Sequence, residues 1–392
     1  MAQVRSSITE TFSITDGGPL HWLLVRLGHA GSERRLVLRR ALAAVSITWL
    51  PLLLLSLLQG TAWSREIDIP FLRDLAVNVR LLIAVPILIL AESKIDRQWK
   101  TLVHEFLKSE LVNGEALPSF EAVLRRTTRW RDSALPEALL AAASILPSIF
   151  FVKTELLMTD VSNWHSAGQG AVSPAGWWFN LVCTPIFRFL LLRWLWRMFL
   201  WTSLLWSVSR LNLFLVATHT DLAAGLGFLS EGQKAFSPIV FAGGAVIAAE
   251  VGNAVVFQGQ ALSSLKFPMI IYGVLATIFL VVPLLVVAPV LLKVKRRALL
   301  EYGAQVAIHN QLFHRKWIQH GHSPGETLLG NPDASSLGDL GTSFSVVRQM
   351  HIVPIDKPTL LTLAISASLP MLPVVLYATP APELIHMLKM LG

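Results

Sequence analysis

Long apolar runs alternate with short charged segments along most of this chain. A membrane-crossing helix needs ~20 mostly apolar residues. Seven stretches approach that length: 42–60, 75–91, 135–152, 177–197, 238–258, 267–292 and 359–379. The runs are continuous. Barrel strands would alternate over ~10 residues instead. The pattern therefore predicts an all-α fold, a polytopic membrane helix bundle with seven transmembrane helices. Residues 1–41 lack the apolar stretch of a signal peptide, so the first run is expected to be an uncleaved anchor.

The polar segments divide the chain further. Residues 1–41 form an N-terminal segment, 42–91 the first two spans, 135–292 spans three to six, and 359–392 the last span with a short tail. Between them, 92–134 reads as amphipathic helices, with Leu102, Val103, Phe106, Leu107 and Leu111 at helical spacing. The segment 293–358 opens as a helix from Lys293 to Trp317, and a turn-rich loop is expected around 328–341. Residues 382–391 suit a short interfacial helix.

Composition agrees with the pattern. Hydrophobic residues make up 53% of the chain and charged residues 15%, against ~25% charged in a soluble domain. Mean hydropathy is +0.57. Thirteen Trp against three Tyr adds to the bias, because Trp favours the membrane–water boundary. These values exclude a soluble enzyme, a disordered chain and a fibrous protein. The single cysteine, Cys183, allows neither an internal disulfide nor a thiolate metal cage.

The net charge of +8 bears on topology rather than on nucleic acid, which is not an expected partner. Twenty-four of the 33 Lys and Arg fall in 1–41, 92–134, 207–237 and 293–358, and five in the segments between. Positive charge marks the cytoplasmic side. The N-terminus is thus expected in the cytoplasm and the C-terminus outside, in a membrane such as the bacterial inner membrane.

Candidate chemistry sits at membrane depth, where an ionisable group is costly and marks function by default. From an outer boundary at Trp177, Arg188 lies ~16 Å deep, near the midplane, and Arg193 ~24 Å deep, within reach of the inner boundary by snorkelling. Arg197 is expected at that boundary. Glu250 falls at nearly the depth of Arg188, and the two are expected to pair, with Asn253 on the same face as Glu250. Arg80 is shallow enough to snorkel outward. Arg188, Glu250, Asn253 and Arg193 are therefore the candidate binding or gating residues. Proline at 51, 86, 147, 185, 283, 289, 370 and 373 predicts kinked helices. Gly244, Ala248 and Gly252 form a small-residue stripe that would let helices approach, including those of a second copy.

Outside the spans, His219 and Asp221 in THTDLAAGLGFL form a possible loop site. They suit an acid/base pair or a helix cap with a glycine turn beside it. No Walker, dinucleotide or Gly-x-Ser-x-Gly motif is present, and no metal or cofactor is expected.

The runs DGGPLHWL (16–23), RLLIAVPILILAE (80–92), RFLLLRWLWR (188–197), HTDLAAGLGFL (219–229) and LLGNPDASSLGDL (328–340) resemble segments of an uncharacterised family of bacterial multi-pass inner-membrane proteins. The resemblance covers most of the chain and implies location only, since that family has no assigned activity. Thr220 and Ala224 depart from it, standing where Pro and Gly would.

Three functions remain open on the sequence. The first is a channel or transporter for a small anionic solute, using the buried charges. The second is a non-enzymatic scaffold or sensor that binds a partner or anionic lipid through basic helices near Arg125, Arg126, Arg129 and Arg131. The third is a membrane-embedded enzyme using His219 and Asp221. Beyond the bilayer itself, the expected partners are a small anion, an anionic lipid or a second copy of the chain.

Overall fold

A computed structural model of the chain describes residues 12–26, 34–150, 162–166, 171–319, 328 and 331–379. The described residues are helical apart from loops, turns and two isolated bridges. In chain order the helices are α1 (Pro19–Arg26), α2 (Arg34–Leu58), α3 (Leu75–Lys108), α4 (Leu117–Asp132), α5 (Ala134–Phe150) and α6 (Pro174–Ser209). There follow α7 (Phe228–Gln258), α8 (Lys266–Leu285), α9 (Ala288–Phe313), α10 (Pro332–Gln349) and α11 (Lys357–Ala378).

Six of these, α2, α3, α6, α7, α8 and α11, are long and apolar enough to cross a membrane. A seventh crossing exists only if α4 and α5, which meet at 42°, act as one broken span. The expected count of seven is thus six or seven. The stretch 135–152 is the weak member because its helix, α5, has only 17 residues. The sixth run also divides. α8 ends at Leu285 and α9 restarts at Ala288, with Pro289 in its first turn, where the missing N–H has no partner to lose.

α3, α6 and α7 form the centre, and about half of each is buried. α2 leans on α3, α5 on α6, and α11 on α7, while α8 touches α6 and α7. α2 and α8 turn large apolar side chains outward, among them Leu54, Leu58, Phe267 and Ile270. A continuous apolar exterior of this kind needs lipid rather than water around it. The molecule is accordingly compatible with an integral, multi-pass membrane protein. The end that carries Arg34, Lys108 and Arg210 is termed the basic end below.

Two central helices share one irregularity. α3 is a π-helix over Arg80–Ala84, just before Pro86, and α6 is one over Phe179–Cys183, just before Pro185. A proline ring crowds the carbonyl four residues back, and its nitrogen cannot donate. Widening the preceding turn relieves both problems: Val85 N–H reaches the Arg80 carbonyl and Thr184 N–H the Phe179 carbonyl. Of the eight prolines expected to kink helices, Pro86 and Pro185 thus act through π-turns.

At the basic end, the amphipathic stretch from residue 92 continues α3 without a break to Lys108. Its buried face carries Ile95, Trp99, Leu102, Val103 and Phe106 into the main core. Trp99 stacks on Trp201 of α6 at 5.4 Å and packs on Phe236 of α7. The stretch 328–341, expected as a loop, holds the start of α10. Asn331 accepts the Asp333 N–H at 2.9 Å, Pro332 takes the first helical position, and Asp333 bonds Lys316 and the Trp317 indole. α10 then packs along α9. Residues 382–391 lie outside the described part.

Candidate functional site

One acidic residue gathers the bundle's buried arginines. Glu92 is buried on α3, about 25 Å along the helix from Leu75, near the basic-end edge of an apolar slab ~30 Å thick. Its Oε1 accepts from Arg197 Nη1 at 2.9 Å and lies 3.5 Å from Arg193 Nη1, both on α6. Its Oε2 lies 3.5 Å from Arg40 Nη1 on α2. The spacing of Arg193 and Arg197 puts both on one face of α6, and that face meets α3. Arg197 also lies 4.8 Å from the Trp194 ring.

Three guanidinium groups gather around one carboxylate, and Glu137 of α5 is a second acidic neighbour of Arg193. Part of the arginines' hydrogen-bonding capacity is unused: Arg40 Nε and Arg197 Nη2 are buried without a partner among the described residues.

Arg193 therefore does not snorkel, and Arg197 is not an ordinary boundary residue. Arg188 turns elsewhere, because five residues from Arg193 is nearly half a turn round the helix. It donates to Ser148 Oγ of α5 at 3.1 Å. The expected Arg188–Glu250 pair is not formed. Glu250 binds Arg80 of α3, which also lies over Phe187 and Phe179 of α6. Arg80 thus does not point outward. Depth matched Arg188 to Glu250, but depth alone says nothing of azimuth, and α3 lies between them.

Asn253 belongs to a separate network at the opposite end. Its Nδ2 donates to Asp74 Oδ1 at 2.8 Å and its Oδ1 accepts the Leu75 N–H at 3.0 Å. Asp74 caps the start of α3 through the Val77 N–H and accepts the Trp164 indole N–H at 2.9 Å. His165 stacks on Trp164, and burial pushes its pKa down to about 4 against the opposing pull of Asp74. It is neutral at physiological pH. This network ties α3, α7 and the segment before α6 together.

His219 and Asp221 are adjacent, 2.9 Å apart. The Asp221 carboxylate accepts the N–H groups of Ala223, Gly225 and Gly227 at 2.8, 3.1 and 2.8 Å. Burial raises its pKa, but these N–H groups and His219 outweigh that and hold it below the usual carboxylate value. Leu222, Ala224 and Gly225 all have positive φ, so the carboxylate anchors a strained turn. No group of three or more metal-ligating side chains occurs among the described residues.

Beneath the arginine cluster, toward the basic end, lies the segment 12–20. Asp96 accepts Ser13 Oγ and the N–H groups of Ile14 and Thr15. Gly18 N–H binds Asp132 and Leu20 N–H binds Glu137. Arg131 grips the Ser13 carbonyl at 2.7 Å. Above the cluster, toward the midplane, is a cavity of about 510 Å³ between α2, α3, α5 and α6. Arg40, Glu92 and Arg193 line its lower end, where their charged groups lie mostly turned toward one another and the surface is nearly all apolar.

Sequence reasoning found Arg193 but missed Glu92 and Arg40. Each stands at the end of an apolar run, where a boundary drawn by hydropathy assigns it to a loop. The usable signal was the apolar periodicity carried on through Ile95 and Trp99, which keeps Glu92 on a helix. No protein-family model, no curated protein and no solved structure matches the chain.

Proposed function

We propose that the protein binds an anion at membrane depth and passes it across the membrane, with Arg40, Arg193 and Arg197 as the binding groups. The observation that carries this reading is the gathering of three arginines around buried Glu92, with Glu137 as the other acidic neighbour of Arg193. A balanced structural pair needs one arginine; three invite a second anion. Glu92 holds the arginines together when the site is empty. Arg188, Glu250 and Asn253 then support helix positions rather than the ligand. With the basic end in the cytoplasm, as the positive charges suggest, the site lies nearer that side, and a bacterial inner membrane is the setting the resemblance implies.

The test is flux of small anions, chloride and phosphate, into proteoliposomes. Wild type is expected to show flux that Arg193→Gln and Arg197→Gln each reduce by about tenfold or more, in line with loss of a buried charge contact. Flux unchanged in both variants, or absent from folded wild-type protein, sinks the transport reading.

A second reading, a scaffold, is favoured by the α9–α10 hairpin. It leaves Leu300, Ile308, Leu312 and Ile318 exposed. A stoichiometric partner that is lost when those side chains become Ser would favour it.

A further inference from the structure

We infer that the ligand of the arginine site is an amphiphile, an anionic head on an acyl chain, taken up from the membrane. This rests on the anion-binding reading above and names its ligand class.

The cavity over the cluster carries the argument. At about 510 Å³ it lies within the roughly 300–1,000 Å³ typical of ligand sites. Its lining divides sharply by depth. The floor holds Arg40, Glu92 and Arg193, and the walls above are apolar, with Ile89, Ile186, Phe189 and Leu190 among them. Ser144 is the one uncharged polar side chain in the lining, and its hydroxyl is already spent on the Ala141 carbonyl. A small anion can engage the arginines and leaves the apolar walls unused. An acyl chain fits the walls and brings its anionic head to the arginines at the lower end.

Position supports the same ligand. The floor lies near the basic-end edge of the apolar slab, which is the level of lipid headgroups, and the cavity extends from there toward the midplane, the level of acyl chains. On the aqueous side the segment 12–20 covers the cluster and places Leu20 against the cavity. On the membrane side the lining includes Ile47 of α2 and Ile145 of α5, which are 52% and 44% exposed. The cavity thus meets lipid between α2 and α5, and the described part of the chain blocks the route from water.

The experiment measures binding to full-length wild-type protein in nanodiscs of uncharged lipid, by native mass spectrometry and titration calorimetry. The probes are palmitate, phosphatidate, acetate and hexadecanol. Acetate has the head without the chain, and hexadecanol the chain without the charge. Palmitate or phosphatidate is expected to bind at one per protein, at least about tenfold tighter than either control. Whichever of the two binds tells a free fatty acid from a bilayer lipid.

Arg193→Gln and the cavity-filling Ala141→Phe are each expected to weaken that binding by about tenfold. Hexadecanol or acetate binding as well as palmitate and phosphatidate overturns the inference without any variant. So does amphiphile binding that is indifferent to Ala141→Phe in protein that melts normally. The two proposals fail separately: loss of small-anion flux leaves amphiphile binding to be read, and absent amphiphile binding leaves the arginine-dependent flux standing.

Discussion

Glu92 matters more to the cluster than any one of its arginines, and the sign of the charge balance shows why. Removing Arg193 leaves the carboxylate with Arg197 and Arg40. Removing the charge of Glu92 leaves three guanidinium groups facing one another, with Glu137 near Arg193 as the remaining acidic neighbour. Breaking a buried pair from the side that leaves charge uncompensated costs ~3–5 kcal/mol. Glu92→Gln is thus expected to lower the thermal midpoint in detergent well below that of Arg193→Gln. Equal losses would mean that the carboxylate is not the hub. The arginine half of this cluster was legible in the sequence, because Arg193 and Arg197 interrupt an apolar run four residues apart, on one helix face. The acidic half was not, since Glu92 stands where the apolar run gives way to Ser93 and Lys94 and looks like the first residue of a loop. The same reasoning misjudged Glu250. One-dimensional depth ranked Arg188 as its partner, whereas Arg80 on the intervening helix holds it.

Between helices, two features turn on single residues with a geometric task. Gly244 of α7 faces α11 so closely that an added Cβ would lie 2.5 Å from the Ala367 carbonyl oxygen, and backbone cannot yield as a side-chain tip can. Gly252, two turns on, meets Leu75 and Val374. The small-residue stripe read from the sequence is therefore used inside the chain, between α7 and its neighbours α3 and α11. Gly244→Ala is expected to cost ~1–3 kcal/mol by overpacking. Gly273→Ala, on α8 with open space around it, should change the melting point little. The Asp221 turn makes a prediction in pH. Its folded pKa lies below the unfolded value of ~3.9, so its contribution is present above that value and is lost as pH falls through the folded pKa. Hydrogen exchange at the Ala223, Gly225 and Gly227 amides should stay slow at pH 6 and quicken selectively at the acid end. Exchange indifferent to pH after correction for its intrinsic rate would remove Asp221 as the anchor. The glycines and Asp221 announced a turn in the sequence. That the carboxylate reaches three amides required coordinates, because positive φ at Leu222 and Ala224 is not encoded by residue type.

Across the whole molecule, the apolar runs predicted a helical bundle with six or seven spans, but several helices run ten residues or more past the predicted ends. Hydropathy marks where a helix meets lipid, not where it stops. α3 therefore runs on past Ala91 into a packed core, and α8 and α9 divide within one apolar run. The same limitation touches topology, since the charge bias argues an orientation while the helices alone are symmetric under inversion. One property of the chain makes orientation measurable. Its single cysteine, Cys183, is buried on α6 among Leu52, Phe71, Leu81 and Phe179, with its thiol directed at the Thr48 carbonyl. Burial of this kind makes a thiol inert, so intact cells should give no labelling of the wild type by a membrane-impermeant maleimide. New cysteines can then be read without background. Asn113, between α3 and α4, and Ser263, between α7 and α8, stand at opposite ends of the bundle. If the basic end faces the cytoplasm, Ser263→Cys labels from outside in whole cells and Asn113→Cys only after permeabilisation. The reverse pattern would invert the topology and move the arginine cluster to the outer leaflet. Labelling of both from one side would contradict their placement at opposite ends and make the count of spans between residues 113 and 263 even rather than odd.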